Sequence, residues 1–150
     1  MLSIPELEKF LRQNNCDFEI IEHDKPILRA RDAAGYFDIA KTAPVFVADT
    51  EGGLIALVVS AGRGRLDFKG LGRSLGYRTF RLADRDRAEA ATGYTAGAIP
   101  IVGHGLPCLF DSLLLDCDYI YGGTGDALRT LKIAPADAIR LNRVIAVHKF

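Results

Sequence analysis

The residues of this chain that could carry chemistry are its histidines and cysteines, a lysine at the head of an apolar strand, and one glycine-rich run. His23, His104 and His148 lie far apart, without H-x-x-x-H or H-E-x-x-H spacing, so they form no metal-ligand pattern. Cys16, Cys108 and Cys117 are odd in number and hold no C-x-x-C pair. That argues for reduced thiols in the cytoplasm and against both a disulfide framework and a zinc site. No G-x-S-x-G nucleophile elbow is present. Gly122-Gly123-Thr124-Gly125 is neither a dinucleotide fingerprint nor a phosphate loop, since no Gly-Lys-Ser/Thr follows. A lone Cys117 or His104 is more often a packed core residue than a catalyst. No cofactor is called for.

The run Thr92–Gly105 (TGYTAGAIPIVGHG) combines Gly93, Gly97, Gly103 and Gly105 with Pro100 and His104 among apolar residues. Glycine permits close backbone approach and positive φ, and proline fixes φ and removes one N–H. Two readings stay open: a tight bend between a helix and a buried strand, or a floor of backbone amides for a ligand. Lys41 precedes the apolar segment Pro44–Asp49, where a lysine has no packing role. It either snorkels to solvent or meets a ligand.

Behind these residues, 150 positions suffice for one domain spanning residues 1–150 with a proper core. A composition 49% hydrophobic and 25% charged is that of a globular protein. No apolar run approaches membrane-spanning length, and the N-terminus has no basic segment followed by an apolar one. The net charge of zero conceals an uneven distribution. Residues 1–61 carry six Lys/Arg against ten Asp/Glu, residues 62–87 eight against three, and residues 88–150 five against six. A basic segment on a neutral protein can hold phosphates without indiscriminate nucleic-acid binding, or it can be ordinary surface.

The Ser3-x-x-Glu6 capping box with Pro5 starts a helix over residues 4–14. Further helices are expected over 29–37, 67–75 (ended by Gly76), 85–92 (capped by Asp84 and ended by Gly93) and 135–141. Strands are expected near 18–21, 44–49, 54–60, 77–82, 107–110, 118–121, 127–133 and 144–148. Glu51-Gly52-Gly53 turns one hairpin and Gly122–Gly125 another. At most one helical turn follows at 111–115. The predicted class is α/β in the broad sense (α+β): a mixed, largely antiparallel central sheet with helices packed outside.

Three stretches then fit one pattern in order and spacing. These are Ile39-Ala40-Lys41-Thr42, Leu66-Asp67-Phe68-Lys69, and Thr92-Gly93-Tyr94-Thr95-Ala96-Gly97-Ala98-Ile99-Pro100-Ile101-Val102-Gly103. With Asp111-Ser112-Leu113-Leu114 and the Gly-Gly-Thr-Gly segment before the Pro135 helix, the chain resembles the YbaK/ProX aminoacyl-tRNA deacylases from about Phe18 to Asn142. The editing domain of bacterial prolyl-tRNA synthetases belongs to that family. The resemblance implies that fold, and hydrolysis of the ester joining a small amino acid (Cys, Ala or Ser) to a non-cognate tRNA, tRNA-Pro first among them.

By the same resemblance, Lys41 is the signature lysine that holds the terminal adenosine or its phosphates. Gly97, Ala98, Ile99, Pro100 and Ile101 form the loop whose backbone positions ester and water. Arg29, Thr42, Lys69, Gly103, His104 and Asp111 are implied to contact substrate. Ala98 stands where a second glycine is common, Ile101 where the loop's proline falls, and Arg29 where many relatives have threonine. The implied partners are the 3′ acceptor end of aminoacyl-tRNA and prolyl-tRNA synthetase, with no membrane. A module that binds a tRNA end or a synthetase without catalysis is the alternative, and a hydrolase of small aminoacyl esters is a third.

Overall fold

The computed structural model describes every residue from Met1 to Phe150. Helix α1 (Ile4–Gln13) begins as the capping box requires. The Ser3 hydroxyl accepts from the Glu6 N–H (3.3 Å), and the Glu6 carboxylate accepts from the Ser3 N–H (3.0 Å). Its inner face buries Leu7 and Leu11. Strand β1 (Phe18–Glu22) pairs with β7 (Arg129–Ile133), which pairs with β6 (Ile120–Gly123), giving a three-stranded antiparallel sheet.

The second sheet has five strands in the order β4-β2-β3-β5-β8. They are β2 (Val45–Thr50), β3 (Gly53–Val58), β4 (Phe80–Leu82), β5 (Pro107–Asp111) and β8 (Arg143–His148). The β2–β3 and β2–β4 pairs are antiparallel, whereas β3–β5 and β5–β8 are parallel. The mixed, largely antiparallel class expected from the sequence therefore holds, with the strands divided between two sheets. One face of the larger sheet, including Val45, Val47 and Phe110, joins the smaller sheet and α1 in the main core. The other face, with Ala48, Leu57 and Leu109, packs on Leu71 of α3 (Phe68–Leu75).

Helix α3 starts where the Asp67 carboxylate accepts the Gly70 N–H (3.0 Å) and ends at left-handed Gly76. Helix α4 (Arg85–Thr92) ends likewise at Gly93, and α5 (Pro135–Leu141) begins on its proline.

Several boundaries differ from those read in the sequence. The helix expected over 29–37 is only α2 (Ala30–Ala33), because Gly35 and the turn around it stop propagation. The strand expected over 77–82 is confined to Phe80–Leu82, since the Arg78 and Thr79 amides donate to Glu51 rather than to a strand. The strand expected at 118–121 lies at Ile120–Gly123. Gly122 and Gly123 are thus ladder residues, and the turn is made by the residues after them. The turn expected at 111–115 is a 3-10 helix, Ser112–Asp116.

Candidate functional site

The site is built around β6, whose main chain ties two separate segments together. On one side Thr42 bridges to Tyr121, and the Ala43 N–H donates to the Tyr121 carbonyl (2.7 Å). On the other side Pro100 bridges to Gly123, and the Ile101 N–H donates to the Gly123 carbonyl (3.3 Å). Both glycines are required by close approach. A Cβ on Gly123 would run into the Ile99 carbonyl, and one on Gly122 into the Ile101 side chain.

Between these segments lies a cavity of about 380 Å³. Ala33, Val45, Val47, Ala83, Ala88 and Ile99 give it an apolar lining, and Phe37 stacked on Tyr121 (4.6 Å between ring centres) forms part of its wall. Arg29, Arg85 and Arg129 are the cations among its lining residues. Arg129 is paired with Asp126 (3.0 Å) and Arg85 with Glu89 (3.5 Å), while Arg29 makes no ion pair.

The Gly97 segment and the strand-to-helix segment at Leu28 close on each other. Gly97 has φ +90°, and a Cβ there would strike the Leu28 carbonyl oxygen. Local hydrogen bonds hold both sides. The Asp32 carboxylate accepts from the Leu28 and Arg29 amides (3.2 and 3.0 Å), and Glu89 accepts the Ala96 N–H (2.7 Å). The Gly97 and Ile99 amides border the cavity and donate to no protein acceptor.

Of the residues singled out in the sequence, Arg29, Thr42, Gly97, Ala98 and Ile99 line this cavity. Pro100 and Ile101 stand behind the wall, both buried, with Ile101 in the core. Lys41 closes a 3-10 turn (Ile39–Lys41) next to lining residue Thr42 and is half-buried. The other expected contacts, Lys69, Gly103, His104 and Asp111, lie outside the cavity lining. Lys69 sits on α3, across the larger sheet from the cavity wall. Asp111 is fully buried and bound by Arg63 (2.7 and 2.8 Å) and by the Ser60 and Leu113 amides (3.0 Å each). Gly103 and His104 face the N-terminal segment and the core, away from the cavity. Cys117 is within electrostatic reach of Lys41, yet partial burial, the larger influence, pushes its thiol up and so disfavours the thiolate.

Missed in the sequence were Phe37, Tyr121 and the pair Gly122-Gly123. Consecutive glycines inside a strand, which mark close backbone approach, were the available signal.

The aminoacyl-tRNA editing domain family matches residues 26–141, most of the chain and all of this cavity. The chain belongs to that family. A candidate trans-editing enzyme for prolyl tRNA synthetase has a similar structure, with a TM-score of 0.80 at 22% identity over 98% of this chain and 97% of that one. A hypothetical protein superposes with a TM-score of 0.78 at 23% identity, covering 94% of this chain and 97% of its own. A scaffold from a computational epitope-grafting study matches with a TM-score of 0.80 at 21% identity over 99% and 97% of the two chains. At such identities the likeness is one of fold. No helix of this editing domain is long and apolar enough to cross a membrane.

His104 gives the domain an acid-sensitive point away from the cavity. Its Nδ1 accepts the Leu106 N–H (3.1 Å), and its buried Nε2 has no partner. Burial holds its pKa down to about 4. A histidine neutral when folded and titrating near 6.5 when unfolded contributes its full stability above that unfolded value. The contribution is lost as pH falls toward the folded value, and amounts to about 3 kcal/mol. Denaturant titrations from pH 7 to pH 4 are expected to show this loss, and His104→Gln is expected to flatten it. An equal acid loss in the variant would refute the assignment.

Proposed function

We propose that the domain hydrolyses the ester between a small uncharged amino acid and the 3′ end of a mischarged tRNA, with tRNA-Pro the expected carrier. The observation that carries this reading is an apolar cavity bordered by two amides, Gly97 and Ile99, that donate to no protein acceptor. The lining contains no Ser, Cys, His or Lys. In this reading the attacking group is a water molecule. It adds to the ester carbon, the developing oxyanion is met by the two amides, and the bond to the ribose oxygen breaks. The amino acid leaves as a carboxylic acid, and a water proton ends on the ribose hydroxyl. An activated ester asks mainly for orientation and oxyanion stabilisation, the latter worth roughly 3–4 kcal/mol per donor in other hydrolases. A small pocket that edits afterwards is the physical remedy when a synthetase cannot reject a similar small side chain.

In this reading Lys41 and Arg29 hold the terminal adenosine or its phosphates at the rim. Cys-, Ala- and Ser-charged tRNAs incubated with the protein are expected to lose their amino acid faster than in buffer. Release at the buffer rate from all three would refute the reading. Lys41→Ala should lower deacylation more than tenfold, chiefly through KM. The absence of Ser, Cys, His and Lys from the lining, with its Asp126 paired to Arg129, supports a second reading, a non-catalytic module for a tRNA end or a synthetase. Binding of charged tRNA with an unchanged ester lifetime would establish it.

A further inference from the structure

The basic segment noted in the sequence resolves into two groups. Arg63 is paired with Asp111, Arg81 and Arg87 with Asp49, and Arg85 with Glu89. Arg65, Lys69, Arg73 and Arg78 make no ion pair and are exposed. Arg65 lines a second cleft, of about 400 Å³, with Ser74 of α3 and with His148 and Lys149 at the end of β8. Lys69 and Arg73, one helical turn apart, extend the same basic surface along α3. Asp67 also lines the cleft and keeps its charge while capping α3, and Asp111 is neutralised by Arg63, so Arg65, Lys69, Arg73 and Lys149 still outnumber the unpaired acids here.

The segment leading to this cleft packs beside the Lys41 turn, which precedes the cavity residue Thr42. The 3-10 turn Ala61–Arg63 packs on the turn Ile39–Lys41, with the Ser60 hydroxyl donating to the Ala40 carbonyl (2.8 Å) and the Ala61 N–H to the Thr42 carbonyl (2.8 Å). Arg65 follows Ala61 by four residues, so its Cα lies within ~20 Å of Thr42. At 3.4 Å per phosphate along a stacked strand, a reach of that size covers at most about six nucleotides, the length scale of a tRNA's unpaired end and the start of its acceptor stem.

We infer that the surface formed by Arg65, Lys69, Arg73 and Lys149 binds the phosphate backbone of the tRNA acceptor stem, guided from the cavity past Lys41. This rests on the deacylase reading for the cavity, but its test does not need catalysis. Binding of fluorescent uncharged tRNA is measured over a range of salt for wild type, for Arg65→Ala/Lys69→Ala/Arg73→Ala, for Lys149→Ala, and for Lys9→Ala as a control on α1. Thermal melts verify that all four fold.

The triple variant is expected to bind at least tenfold more weakly, with its salt slope reduced by about three, and Lys149→Ala by about one. Lys9→Ala is expected to stay within threefold of wild type. A triple variant that binds like wild type, or a control that weakens binding equally, overturns the proposal. The first outcome would leave the cleft to an acidic protein surface. If this binding pattern appears while wild type releases no amino acid, the surface stands and the reading of the cavity fails. If wild type deacylates and the triple variant binds unchanged, the surface alone fails.

Discussion

Gly97→Ala will lower deacylation by at least a hundredfold while leaving the protein folded, its melting temperature lower by roughly 2–12 °C. The backbone at Gly97 has φ +90°, where a side chain costs on the order of 1–3 kcal/mol. The added methyl also meets the Leu28 carbonyl, which cannot rotate away because the Leu28 and Arg29 amides are held by Asp32. The Gly97 and Leu28 walls must then separate, and the Gly97 and Ile99 amides move with them. A displacement of about 1 Å in an orienting group can remove a hundredfold in rate. The segment is a loop outside both sheets, so the core survives. Single-turnover release from mischarged tRNA, with a melting curve on the same sample, separates the two effects. Activity within threefold of wild type would mean that this backbone does not orient the ester.

The largest loss of stability is expected from Arg63→Ala. Asp111 is fully buried at the end of β5, and its two oxygens receive two bonds from Arg63 and two from backbone amides. Removing the guanidinium leaves a buried carboxylate without its counter-charge, a loss of about 3–5 kcal/mol. For a chain of this length that lowers the melting temperature by roughly 6–20 °C. The pair Arg81/Arg87 with Asp49 offers the contrast, since both arginines are more than half exposed (71% and 52%). Exposed pairs are worth about 0–1 kcal/mol each, so Arg81→Ala should be nearly silent. The double variant Arg63→Ala/Asp111→Ala should be less destabilised than the sum of the singles, because the orphaned charge goes with its partner. Strict additivity in denaturant titrations would dismiss the pair as a structural element.

These contrasts show what the sequence can and cannot reveal. Gly76 and Gly93 are legible as helix ends because a left-handed residue after an amphipathic helix is a local requirement. The hairpin at Gly52-Gly53 is legible for a similar reason. Gly122-Gly123 misleads, since the need for glycine comes from Ile101 and Ile99, some twenty residues earlier, pressing on the strand. Asp111 lies in a stretch that resembles the family's pattern, and nothing local reveals that its partner is Arg63, nearly fifty residues away. The cavity is legible in part: Thr42 and the Gly97–Ile99 segment carry the motif, whereas Phe37, Ala83 and Ala88 reach it only through the packing of the sheets.

The attachment of both cavity walls to β6 through main-chain atoms has a consequence for how such domains diversify. Thr42 and Pro100 are registered by backbone bridges, which do not depend on side-chain identity. Side chains facing the cavity, such as Ala33, can therefore change without altering the main-chain bridges that set the two walls. The frame is fixed by main chain and its lining by side chains, so the shape of the pocket can vary within the family while the two walls keep their spacing.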